Sequence, residues 1–255
     1  MKDVEYVLEF AANLGSRMLT AGANLERAND TINRVCLSYQ LEDISIFSLS
    51  SIIQLSARSP EGDYAYRQID VASSDIHLEL LNRLNRLSRR VCTERPTPST
   101  LMELLDEAID IKETSVWTMI LGELIALTSL CVMYGGGIKD IIATDIIVVV
   151  LYLFRRYLGS LNLNYVVVNA LSMFFTGTLA YFMVWAGIGK VYSIIVTTCS
   201  MMIIPGIPMV NAVRNMLCGN EMNGILELLK AVVETLAMVF GLFVSMYLFG
   251  GVVEW

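Results

Sequence analysis

The 255-residue chain has one histidine, five prolines and five scattered cysteines. The lone histidine, His77, has no ligand partner at i+4, so the commonest helical metal pair is missing. The cysteines (Cys36, Cys92, Cys131, Cys199 and Cys218) form no CxxC pair. They read as small buried hydrophobes in a reducing compartment, and neither a disulfide frame nor a metal site is expected. No glycine-rich phosphate loop or nucleophile motif occurs, so neither a cofactor nor enzymatic activity is expected. Excess basic charge is also absent: the net charge is −7, which argues against nucleic acid as a partner. The opening MKDVEYVLEF lacks a basic n-region and an apolar h-region, so no secretory signal is expected there.

Charge is scarce in the second half. Residues 1–115 hold 12 Lys/Arg and 18 Asp/Glu, against 6 and 7 in residues 116–255. With 55% of the chain hydrophobic, this asymmetry predicts a charged amino-terminal domain (1–115) and a polytopic helical membrane domain (116–255).

In the first domain, Val4, Val7, Leu8, Ala11, Leu14 and Met18 recur at helical spacing, and Gly22 suits a left-handed helix end. Asn24 can cap a second helix striped by Leu25, Ala28, Ile32 and Val35. From Ile44 the period becomes two, and its phase slips at Ser50-Ser51, which predicts a bend, a bulge or two separate strands. Ser59-Pro60-Glu61-Gly62-Asp63 marks a turn before another strand from Tyr64. Helical spacing returns at Leu80, Leu84, Leu87 and Val91, and again after Thr97-Pro98. The expectation is an α+β domain ordered helix–helix–strands–helix–helix. Arg83, Arg86, Arg89 and Arg90 form a basic run that reads either as a solvated face or as a contact with anionic headgroups.

The second half predicts about five spans: Val116–Tyr134, Ile138–Tyr157, Leu163–Ala186, Val191–Ile204 with a broken continuation, and Ala231–Phe249. Arg155, Arg156, Arg214 and Lys230 outnumber Lys139 and Lys190 on the other side, which places the amino-terminal domain in the cytoplasm. Ala237, Gly241 and Ser245 form a small-residue stripe that should meet another helix, in this chain or in a partner subunit such as a second copy. Glu123 and Asp145 are carboxylates inside apolar segments. Each is a candidate for proton coupling or solute contact, or a protonated side chain hydrogen-bonded between helices. Asn169 is a solute ligand or interhelical glue.

The fourth segment stops at Pro205-Gly206-Ile207-Pro208, where neither proline can donate and glycine weakens a helix. Helical sequence then resumes with Asn211, Arg214 and Asn215. Such interrupted segments point to a transporter's binding site if they face a watery cavity, whereas at the membrane surface they are only a turn. On the cavity reading, Pro205, Gly206, Pro208, Asn211 and Asn215, with Asn169, are the candidate solute-binding residues.

The PGIP stretch followed by Asn211-Ala212 and Gly219 resembles the motif of the threonine/serine exporter family, in particular the larger subunit of its split, two-component form. Gly22-Ala23 before an amphipathic helix, the serine-rich ISIFSLSSIIQLS and a glycine cluster followed by Asp140 agree with it. The resemblance implies a bacterial inner-membrane protein that exports small polar metabolites, either hydroxy amino acids or dicarboxylates such as succinate. It further implies a separate small membrane subunit as partner. The family often carries an acidic residue where this chain has Asn215. A competing expectation is a membrane-anchored sensor or assembly scaffold acting through its cytoplasmic domain. An intramembrane enzyme would need paired groups at one depth, and Glu123 and Asp145 lie at different depths.

Overall fold

The computed structural model describes residues 2–72, 77–111, 115–161 and 163–249. It is mostly helical and divides into two compact units. The first comprises Met1–Lys112 together with Asn211–Glu227, and the second comprises Glu113–Val210 with Leu228–Trp255. The domain junction expected at 115 adjoins residues 112–114, which lie outside the described residues.

In the first unit, α1 (Lys2–Thr20) and α2 (Leu25–Ser38) precede β1 (Glu42–Leu49), β2 (Ile52–Arg58) and β3 (Tyr64–Asp70), followed by α3 (Leu78–Glu94) and α4 (Leu101–Ile109). The strands form an antiparallel sheet in the order β1-β2-β3. The phase slip at Ser50-Ser51 is a tight hairpin turn, because Leu49 pairs with Ile52 across it. A one-residue slip would turn every apolar side chain to the other face, so the register places Ile53, Leu55 and Ala57 in the core with Leu8, Phe10, Leu14 and Ile32. Gly22 is left-handed at φ 91°, and Ala23 N–H donates to Met18 O at 2.9 Å, closing α1. Asn24 occupies the cap position of α2, but its side chain makes no capping bond there. His77 caps α3 instead: its Nδ1 accepts from Leu80 N–H at 3.2 Å. The lone histidine therefore has a structural task.

The second unit contains α5 (Val116–Met133), α6 (Ile138–Ser160), α7 (Tyr165–Trp185) and α8 (Tyr192–Ser200). Two further helices, α9 (Gly206–Leu217) and α10 (Glu221–Phe249), contribute residues to both units. Three helices are long and apolar enough to cross a membrane: Val116–Met133, Tyr165–Trp185 and Glu221–Phe249. Their apolar side chains are widely exposed, Phe240 and Phe243 among them, as lipid contact requires. The second expected span coincides with α6, which is 23 residues long but carries Lys139, Asp140, Asp145, Arg155 and Arg156. The fourth is shorter than the sequence suggests. Only Tyr192–Ser200 is helical, nine residues, and at 1.5 Å per residue such a helix reaches about 13 Å of the roughly 30 Å core. The fifth begins earlier than expected, at Glu221.

Asp140 ties two turns of this unit together. It accepts from Gly137 N–H at 3.0 Å, and from Lys190 and Val191 N–H at 2.7 and 2.8 Å. Three backbone donors on one carboxylate give that residue a positioning role. The small-residue stripe of α10 packs against α7 within the chain. A Cβ at Gly241 would strike the carbonyl of Ala170, and one at Gly177 would lie 2.8 Å from Ser245 Oγ. The Thr178 and Ser245 hydroxyls are 3.1 Å apart at the same crossing. Close backbone approach is what small residues in register permit.

Candidate functional site

The predicted break is present: α8 ends at Ser200 and α9 begins at Gly206. Turns satisfy most of its backbone. Ile203 and Ile204 N–H both donate to Ser200 O, at 2.9 and 3.0 Å, and Met209 N–H donates to Pro205 O at 3.2 Å. At the start of α9, Gly206 N–H is taken by Ile204 O at 2.8 Å, and Pro208 has no N–H. The helix end thus has fewer free donors than an ordinary amino terminus. Pro205 is buried, Gly206 exposed, and Pro208 and Asn211 half-buried.

Asn215 is buried and donates through Nδ2 to Glu227 Oε2 at 3.0 Å, linking α9 to α10. Its Oδ1 is buried without a hydrogen-bond partner among the described residues. Left-handed Gly219 (φ 83°) turns the chain between these helices. A Cβ at Gly224 would lie 2.7 Å from Ala212 O, so the two helices meet backbone to backbone. This corner belongs to the first unit with Asn211 and Asn215, whereas Glu123, Asp145 and Asn169 belong to the second.

Within the second unit a polar chain crosses three helices. Arg155 Nη1 on α6 donates to Asn169 Oδ1 on α7 at 3.2 Å, and Asn169 Nδ2 donates to Glu234 Oε2 on α10 at 3.4 Å. Glu123 on α5 interacts electrostatically with the same guanidinium, as does Glu234. Glu123 Oε2 is buried without a hydrogen-bond partner among the described residues. Lys230, one turn before Glu234, lies over the Tyr165 ring at 4.8 Å from its centroid. Asp145 stands apart from this chain, accepting from the Thr128 hydroxyl at 2.8 Å across α5 and α6.

Two of the sequence candidates, Glu123 and Asn169, therefore converge, and Asp145 does not join them. Arg155 and Glu234 complete the group. In the sequence, the expected span Ile138–Tyr157 finishes at Arg155-Arg156, and α6 runs three residues further, to Ser160.

Two of the four arginines of the basic run on α3 have ion-pair partners. Arg83 Nε lies 3.2 Å from Glu79, and Arg90 Nε 2.9 Å from Glu94. Exposed pairs at this spacing are screened by water and contribute little. Together with Arg86, they edge an open cavity of about 460 Å³ floored by Leu87 and Leu104.

A family model described as "Putative threonine/serine exporter" matches residues 9–249. No curated protein and no solved structure matches the chain. The match runs through both units and nearly the whole length, so the chain belongs to the threonine/serine exporter family, a family of membrane transporters.

Proposed function

We propose that this protein is a subunit of an exporter that moves small polar carboxylate-bearing metabolites out of the cytoplasm by alternating access. Threonine and serine are the first candidates, with dicarboxylates such as succinate as the second class. Arg155, held by Asn169 beside Glu123 and Glu234, is the observation that carries the reading. Ionisable groups among apolar helices are costly, and they mark solute and proton pathways. A guanidinium has five donors in a planar fork that matches a carboxylate, and Asn169 takes only one of them.

In this proposal Glu123, Arg155, Asn169 and Glu234 form the solute centre, and α6 is a further span. Pro205, Gly206 and Pro208 act as the hinge about which helices rock, with Asn211 and Asn215 holding the moving helix to its neighbour. Asp145 remains a second candidate for proton coupling. The working unit includes a small membrane subunit, and the protein resides in a bacterial inner membrane with its amino terminus in the cytoplasm. The test is counterflow of labelled threonine, serine and succinate in vesicles, with and without the small subunit. Exchange of at least one of them through the wild-type chain is expected. Its absence in both preparations refutes transport.

A further inference from the structure

We propose that the cleft between α3 and α4 binds a small phosphate-bearing metabolite. Its phosphate lies on Arg83, Arg86 and Arg90, and its apolar or planar part, as in a nucleoside phosphate, lies on Leu87 and Leu104. The inference is independent of the exporter reading, since the cleft lies within the first unit.

Of the four arginines in the basic run of α3, three share a face. Residues 83, 86 and 90 recur at intervals of three and four, with Leu87 among them, whereas Arg89 does not line the cleft. Leu104, Glu107 and Ala108 of α4, at the same helical spacing, form the other wall. The volume of about 460 Å³ falls within the roughly 300–1,000 Å³ of small-molecule sites.

The outer two guanidinia are held in place by their neighbours. Arg83 Nε donates to Glu79 Oε1 at 3.2 Å, and its Nη1 donates to Asp110 O at 3.1 Å, just past the end of α4. Arg90 Nε donates to Glu94 Oε2 at 2.9 Å. Arg86, between them, is exposed and has no hydrogen-bond or ion-pair partner among the described residues.

A phosphate monoester carries nearly two negative charges and three acceptor oxygens. Three guanidinia on one cleft match that demand, whereas a single carboxylate occupies one fork. Inorganic phosphate would leave Leu87 and Leu104 exposed to water, and a base or other apolar group would cover them. Glu107, the one acidic lining residue, suits a hydroxyl of the ligand as acceptor. An anionic lipid surface fits less well. α4 also carries Glu103 and Asp106, and Glu79 and Glu94 flank the arginines. An extended negative surface would meet this acidic border, while a small ligand meets the cleft alone.

The experiment titrates the full-length protein in a neutral detergent with AMP, inorganic phosphate and succinate at equal ionic strength, read by calorimetry. Wild type, Arg86→Gln and Arg89→Gln are compared. AMP is expected to bind about tenfold or more tightly than either other anion, and Arg86→Gln should weaken it about as much, with Arg89→Gln near wild type. Arg86 is exposed and unpartnered, so its replacement leaves the fold intact. Equal weakening in both variants overturns the site, because it shows attraction to a basic helix at large. Absence of AMP binding, or succinate or inorganic phosphate binding as tightly as AMP, overturns it too. AMP is also titrated against the wild type in phosphatidylcholine nanodiscs with and without phosphatidylglycerol. Binding in both is expected, and its complete loss with phosphatidylglycerol overturns the soluble ligand in favour of a lipid headgroup.

Discussion

Asn223, in the first turn of α10, grips the β1–β2 turn at Ser48. Its Nδ2 donates to Ser48 O at 3.2 Å, while its Oδ1 accepts from Ser50 N–H at 3.1 Å. The side chain thus completes the backbone of a hairpin about 175 residues away in sequence. Replacement by alanine leaves two backbone groups without protein partners, which costs about 1–3 kcal/mol. Asn223→Ala should speed proteolytic cleavage near Ser50-Ser51 in the detergent-solubilised protein. Unchanged cleavage would show that the grip contributes nothing.

Arg155→Lys retains the charge but loses the planar fork. Export activity should fall about tenfold or more, since losing the planar fork of a half-buried, hydrogen-bonded guanidinium weakens recognition. Arg156→Lys, next to it and exposed, serves as the comparison and should leave export near wild type. Initial efflux rates from preloaded cells measure both. Equal rates for the two variants would remove Arg155 from the centre.

Gly241→Ala places a methyl group against the Ala170 carbonyl, so α7 and α10 must separate. Overpacking of this kind costs about 1–3 kcal/mol. Gly206→Ala meets nothing within 4 Å and should stay within about 0.5 kcal/mol. Thermal unfolding in mild detergent ranks the two, and an equal midpoint shift in both would contradict the close crossing.

Burial pushes the Cys36 thiol up to about 12 from an ordinary 9.0. A raised pKa means that the neutral form belongs to the fold. The stabilisation from Cys36 is therefore complete below about pH 9 and is lost as pH rises toward 12. Denaturant unfolding of the wild type should weaken across that window, and Cys36→Ala should flatten the decline.

Cys218 is exposed, yet its pKa is raised, chiefly because its thiol hydrogen-bonds Glu26 of α2 and faces that carboxylate's charge. Thiolate is the reactive form, so alkylation at pH 8 should be slower than for a free exposed cysteine. Glu26→Gln removes the opposing charge and should speed the reaction. Identical rates of maleimide labelling in the two proteins would separate Cys218 from α2.

Much of the first unit follows from spacing. The apolar stripes of α1 and α2, the left-handed position of Gly22 and the period-two strands each depend on neighbours within a few residues. The turn at Ser50-Ser51 was open in sequence because a phase slip has the same one-dimensional signature as a bulge or a hairpin. Pairing of Leu49 with Ile52 distinguishes them. The stripe of Ala237, Gly241 and Ser245 was legible as a helix-packing face, but its partner was not, since small residues accommodate any close backbone. Glu123 and Asn169 were legible as misplaced polar groups. Arg155 was hidden by its place near the end of a span, where it counted with the flanking charges, and Glu234 by its place near the start of one.

Local pattern and composition, by themselves, determined the charged first half, the apolar helices and the break at Pro205–Pro208. These properties are carried by hydrophobic periodicity, by prolines without N–H groups and by residues adjacent in the chain. Tertiary structure alone decided that Asn211–Glu227 joins the first unit, that Asp145 is a partner of Thr128, and that Arg155, Asn169 and Glu234 come together from three helices. Hydrogen bonds and charge interactions act over a few ångströms of space, and sequence separation does not record that distance.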